Sequence, residues 1–118
     1  MAKAAEATMT ESQLQDAIAE CARMLGYLVA HFRPARTATG WRTATQYDAT
    51  GFPDLVLVSD GQHRLLFVEC KRERGRLSGE QAFWCTMLAA AGQEFYVWRP
   101  ADWLDGTVET VLRGEEAA

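Results

Sequence analysis

Apolar positions along this chain recur with two different periods, and the switches between them mark out its elements. Leu14, Ala17, Ile18, Cys21, Ala22 and Leu25 return at intervals of three and four, the spacing of one helical face. Thr10-Glu11-Ser12-Gln13 ahead of them matches a capping box, and Gly26 is a natural stop. Residues 27–32, 55–58, 65–68 and 95–98 are short runs rich in β-branched and aromatic side chains and are predicted to be strands. Asp60-Gly61, inside the polar stretch 59–63, is a turn signal that makes the second and third runs an antiparallel hairpin. After the third run, Ser78 with Gln81 three residues on predicts a second helix. Its buried side would be Ala82, Phe83, Cys85, Met87, Leu88 and Ala91, and Gly92 would end it. Residues 100–103 read as a turn or short helix and 108–112 as a last helix or strand. The order is α-β-β-β-α-β, an α/β fold whose mixed sheet is apolar on both faces of its central strands and so calls for helices on both sides.

The hairpin carries the candidate chemistry. Gly51-Phe52-Pro53-Asp54 opens one apolar run and Glu69-Cys70-Lys71 closes the next. With a two-residue turn Asp54 falls opposite Phe67, and with a four-residue loop it falls opposite Glu69. Either register keeps Asp54, Glu69 and Lys71 on one face, because side chains alternate with period two. Two carboxylates that face each other across strands stand roughly 4.5 to 8 Å apart, and like charges at that distance oppose folding unless a cation lies between them. Mg²⁺ suits such a place: a hard ion that takes one or two carboxylates, keeps waters and uses phosphate oxygens for the rest. Lys71 would then orient or help deprotonate a water and stabilise charge on a phosphorane. The plainer reading makes Asp54 a strand cap and Glu69–Lys71 a surface ion pair. The position of the pair at the end of an apolar strand, facing a Pro-Asp, favours the site.

With 118 residues and 48% hydrophobic content, the chain supports one compact domain over 1–118, with a core of about 10–112 between flexible ends. The three cysteines, Cys21, Cys70 and Cys85, have no Cys-x-x-Cys spacing and sit among apolar residues, which predicts buried reduced thiols rather than disulfides or zinc ligands. No apolar stretch reaches the roughly 20 residues of a membrane span, and the first residues lack a secretory signal, so a cytoplasmic protein is expected. The net charge of -4 speaks at first against nucleic acid. From Arg33 to Arg76, however, eight basic residues stand against five acidic ones, and elsewhere four stand against eleven. Two of those five acids are the candidate metal ligands, so a bound cation would leave this span more positive still, as a phosphate-tracking surface requires.

Two further regions bear on the site. Glu11 and Gln15 lie one turn apart on the first helix and border its apolar stripe, so either could approach the two carboxylates; Glu11 also suits a helix start in its own right. Residues 33–50 form a long connection rich in Thr, Ala and Arg, in which Arg33, Arg36, Arg42 and Trp41 are of the types that meet phosphates and stack on bases. Gln81, in the first turn of the second helix, would serve as a cap, a water-orienting group, or both. His31 and His63 lack partners at ligand spacing and read as structural or exposed.

This order of elements, with Gly51-x-Pro53-Asp54, Glu69-x-Lys71 and a following helical Gln81, resembles the PD-(D/E)xK nuclease superfamily and, within it, a stand-alone VRR-Nuc (virus-type replication-repair nuclease) domain. The resemblance runs from about Glu11 to Trp98. It implies a restriction-endonuclease-like mixed sheet flanked by helices, and Mg²⁺ or Mn²⁺ held by Glu11, Asp54, Glu69 and the backbone carbonyl of Cys70. Catalysis would fall to Asp54, Glu69 and Lys71 with support from Gln81, and Arg33, Arg36, Arg42, Arg72, Arg74 and Arg76 would meet DNA. It further implies an endonuclease that hydrolyses phosphodiesters in branched DNA such as four-way (Holliday) junctions, acts in DNA repair as a homodimer, and in phage-encoded forms works in the host cell. The residues leave open a restriction-type or general DNase on linear duplex, and a DNA-binding module with a vestigial site.

Overall fold

The computed structural model describes residues 9–32, 35–37, 40–42 and 47–115, with backbone only for 35–37 and 40–42. The expected flexible ends lie largely outside them. Helix α1 (Glu11–Met24) opens on the expected box: the Gln13 amide N donates to Thr10 Oγ1 at 3.0 Å and the Thr10 amide N donates to Gln13 Oε1 at 2.9 Å. Strand β1 (Leu28–His31) follows, then a two-stranded antiparallel ribbon of β2 (Ala35–Thr37) and β3 (Gly40–Arg42). That ribbon stands inside the stretch expected to be one long connection without regular structure. Its alternation is too short and too polar to read as strands.

Strands β4 (Leu55–Ser59) and β5 (Arg64–Cys70) form the antiparallel hairpin, helix α2 (Gly79–Ala90) crosses over, and β6 (Glu94–Trp98) returns parallel to β5. The sheet order is β1-β4-β5-β6, with β1 antiparallel to β4. Helices α3 (Pro100–Leu104) and α4 (Thr107–Leu112) complete the described chain, so both C-terminal segments are helical. Among the described residues no helix is long and apolar enough to cross a membrane.

One face of the sheet carries the core. Leu55, Leu57, Leu66, Val68, Cys70 and Trp98 pack against Leu14, Ile18 and Ala22 of α1 and Val108 and Leu112 of α4. Each such aliphatic side chain contributes about 1.5 to 3 kcal/mol by leaving water. At the edge of this core the Arg64 guanidinium holds Glu94 at 2.7 and 2.9 Å and also donates to the Val111 carbonyl and the Tyr27 hydroxyl. Arg64 is thereby committed to the fold rather than to a phosphate.

The other face is covered only in part. Trp84 of α2 meets Phe52 edge-on, and Phe52 meets Phe67 of β5. No residue of α2 is fully buried; Ala82, Phe83, Met87 and Ala91, expected inward, are exposed, while Trp84, Cys85 and Leu88 are half-buried. The helix is apolar all round, so its pattern alone could not say which stripe faces the sheet. In register beyond its reach, Leu28, Val58 and Leu65 form an exposed row across β1, β4 and β5. All three cysteines are free, with Cys70 buried and Cys21 and Cys85 half-buried.

Candidate active site

The register of the hairpin sets the site. Ser59 pairs with Arg64 and Leu55 with Val68, so the loop has the four residues Asp60 to His63 and Asp54 continues the ladder opposite Glu69. Asp54 Oδ2 accepts the Cys70 backbone N–H at 2.8 Å, and its carbonyl accepts that of Phe32 at 2.9 Å. Both bonds lock the start of β4 to its neighbours. The Gly51 turn then brings α2 onto the same place. Gly51 has φ +86°, and a Cβ there would stand 2.6 Å from the Glu80 backbone and 2.8 Å from the Gln81 nitrogen. Only glycine allows the first turn of α2 to approach this closely.

What that approach delivers is Gln81. Its side-chain oxygen accepts the Ser78 N–H at 2.8 Å and its own N–H donates to Ser78 Oγ at 3.1 Å, completing the capping box. The side-chain NH₂ remains, and it donates to Glu69 Oε2 at 3.0 Å. Gln81 is both a cap and a support for the carboxylate.

Glu69 is only 2% exposed, which sets aside the surface-ion-pair reading. Its Oε1 is buried with no hydrogen-bond partner among the described residues. Burial first, then the neighbouring Asp54, pushes its carboxyl up to about 8; Lys71 acts in the opposite direction and Glu11 adds to the rise. The Asp54 carboxylate repels the ionised form and accepts a hydrogen bond from the protonated one. Lys71, half-buried, follows directly, its N–H bound to the Trp98 carbonyl at 3.0 Å. Burial and the same carboxylates hold the Cys70 thiol far above its usual range, so the thiol is inert and only the backbone of this residue is chemically available.

Helix α1 presents Glu11 to the same end of the sheet, where Oε2 accepts the Arg72 N–H at 3.3 Å. Gln15 turns instead to His31 Nε2 at 2.9 Å, which makes His31 structural. Among the described residues no three His, Cys, Asp or Glu side chains stand close enough together to hold a metal as they are arranged. The pair Asp54 and Glu69 nevertheless fits a cation: two carboxylates meet in a buried place and one oxygen lacks a donor.

Arg72, Arg74 and Arg76 are exposed on the loop after Lys71. Arg99, which no motif singles out, fixes that loop: Nη1 donates to the carbonyls of Arg72, Glu73 and Gly75 at 2.8, 3.3 and 2.7 Å. Arg33 and the side chains of Arg36, Trp41 and Arg42 lie outside the described residues.

A four-stranded mixed sheet with helices on both sides, an Asp opposed to a Glu-x-Lys and a helical Gln on the Glu define the class of PD-(D/E)xK-type nucleases. The chain belongs to the VRR-NUC domain family, whose model matches residues 9–102. It is therefore a nuclease of that type, a hydrolase whose substrate is DNA. No curated protein and no solved structure matches it.

Proposed function

We propose that this protein is a Mg²⁺- or Mn²⁺-dependent endodeoxyribonuclease that hydrolyses phosphodiester bonds in branched DNA, four-way junctions above all, as a homodimer in the cytoplasm. The observation that carries the metal dependence is the buried Glu69 carboxylate, with one oxygen unpartnered and Asp54 opposite. Asp54, Glu69, the Cys70 carbonyl and, on release from Arg72, Glu11 are the groups that would hold the ion. When bound, a divalent cation would supply Lewis-acid polarisation of the phosphate and a more acidic water.

The protein's own groups do the rest. Gln81 keeps Glu69 from rotating away, and the Arg99-braced loop offers Arg72, Arg74 and Arg76 to the backbone. Lys71 orients the attacking water and stabilises the charge that develops on the phosphate oxygens. The homodimer reading draws support from the exposed row of Leu28, Val58 and Leu65, apolar surface of the sort that a second copy would cover, and a two-fold pair of sites suits paired cuts across a junction.

Labelled four-way junction, flap, single-stranded and linear duplex DNAs, each incubated with Mg²⁺, Mn²⁺ or EDTA, test this reading. Metal-dependent paired nicks in the junction are expected. Equal cleavage of linear duplex would instead make the protein a general DNase, and binding without cutting in every metal would make it an inert DNA-binding module.

A further inference from the structure

Two aromatic side chains stand out to solvent on the approaches to Asp54, Tyr47 at the head of its turn and Phe32 just past the end of β1, and nothing in the metal site uses them. Tyr47 is 98% exposed and adopts φ +58°, a left-handed conformation that is a genuine outlier for so bulky a residue. An exposed ring recovers none of that strain by packing. The turn that follows Tyr47 is anchored at three points. Trp84 Nε1 donates to the Asp48 carbonyl at 3.0 Å, the Phe52 N–H donates to the Ala49 carbonyl at 3.0 Å, and Gly51 is wedged against α2. Strain at the head of an anchored turn, on a ring that packs against none of the described residues, points to a use outside the chain.

On the other side of the turn stands Phe32, 47% exposed, its N–H bound to the Asp54 carbonyl at 2.9 Å. Its ring meets Phe52 edge-on at 5.6 Å, and Phe52 in turn meets Trp84 at 5.1 Å and Phe67 at 6.0 Å. Phe32 is thus the outermost ring of a four-ring cluster rooted in the sheet, and it cannot fold away without breaking that cluster. Phe32, just past the end of β1, is bonded through its backbone to Asp54, and Tyr47 stands at the head of the turn that runs into Asp54. A nucleic-acid strand whose phosphate reaches Asp54 and Glu69 would bring its neighbouring bases toward Phe32, which is bonded to Asp54.

We propose that Phe32, together with Tyr47 at the head of the turn that leads to Asp54, offers stacking faces for unpaired nucleobases next to the scissile phosphate. Base faces in a closed duplex are already stacked on one another and cannot be reached, whereas those at a branch point, a frayed end or a single strand are free. The surface therefore favours DNA that is open at the cleavage point and tolerates any base, since every base has a π face. This inference rests on the nuclease reading and adds to it a reason for choosing open over closed DNA that needs no base-specific hydrogen bond.

The test separates bases from phosphates. Binding of the full chain to a fluorescent oligothymidylate, and to an abasic oligomer of the same length and charge, is measured in EDTA at one fixed salt concentration. The parent is expected to bind the oligothymidylate about tenfold or more tightly than the abasic strand, the scale of base–aromatic stacking. Phe32→Ala and Tyr47→Ala should bring oligothymidylate binding down toward the abasic level and leave abasic binding unchanged. Tyr47→Gly, which relieves the positive φ, should lose the same preference while melting at or above the parent's temperature, an outcome that a purely structural tyrosine would not give. The proposal is overturned by a parent that does not distinguish the two strands, or by variants that keep the preference or lose both affinities alike. A parent that binds neither strand but cuts duplex DNA in Mg²⁺ overturns the stacking surface alone; one that neither binds nor cuts any DNA overturns the nuclease reading with it.

Discussion

A glutamate buried beside an aspartate, with an oxygen left without a donor, destabilises the fold it belongs to. Replacing Glu69 by Gln removes the cost of keeping either a charge or an extra proton there and keeps the shape. The metal-free E69Q protein should therefore melt above the parent, by an amount on the order of 1 to 3 kcal/mol in stability, even though it no longer cleaves. Differential scanning of the two proteins with and without Mg²⁺ checks this. The parent should gain stability from the ion through linkage and E69Q should gain much less. Asp54, Glu69 and Lys71 were legible in the sequence because period-two alternation makes their common face independent of the even loop length. What remained open, the loop's exact size, is settled by Ser59 pairing with Arg64. Glu11 against Gln15 was not legible, since both border the same stripe; the structure turns Glu11 to the site's edge and Gln15 to His31.

At the level of elements, the site depends on how closely α2 approaches the Gly51 turn. Gly51→Ala would drive a methyl into the Glu80 and Gln81 backbone at 2.6 to 2.8 Å in a left-handed conformation. We expect a loss of about 1 to 3 kcal/mol in urea unfolding and a drop in cleavage rate no smaller than that of Gln81→Ala, because the same displacement withdraws Gln81 from Glu69. A G51A protein with parental rate and stability would contradict the packing. Strands and caps could be read from the chain because alternation, Thr10, Ser78 and the terminal glycines all agree. The buried stripe of α2 could not. Phe83 and Met87 are as apolar as Trp84 and Leu88, and only the ring contacts of Trp84 decide which stripe faces inward. Nor did any local signal disclose Arg99, whose bonds reach 24 to 27 residues back along the chain.

At the scale of the molecule, charge among the described residues is divided between groups that hold the sheet together and arginines left exposed for the proposed DNA surface. Arg64 and Glu94 join β5 to β6 at the far edge, and the guanidinium bond chiefly, with the Tyr96 hydroxyl assisting, holds the Glu94 carboxyl below its ordinary range. A depressed carboxyl contributes stability above its unfolded range and loses it as pH falls through the folded value. Glu94→Gln should thus lower the melting temperature near neutral pH, and the difference from the parent should vanish in acid below the carboxylate range; a constant difference across pH would contradict the pairing. The division was half visible beforehand: the six arginines expected to meet DNA leave Arg64 out, yet the charge count of the Arg33 to Arg76 span includes it, since a count cannot tell which cations the fold claims. In the proposed reaction Asp54, Glu69 and Lys71 act together on a phosphodiester. Nicking of a labelled four-way junction in Mg²⁺, followed for the parent and for folded Lys71→Ala protein, is the most direct measurement. Cleavage by the parent and a loss of at least about a hundredfold in the variant, with circular dichroism unchanged, is the predicted result; a variant that cuts at the parent's rate would contradict it.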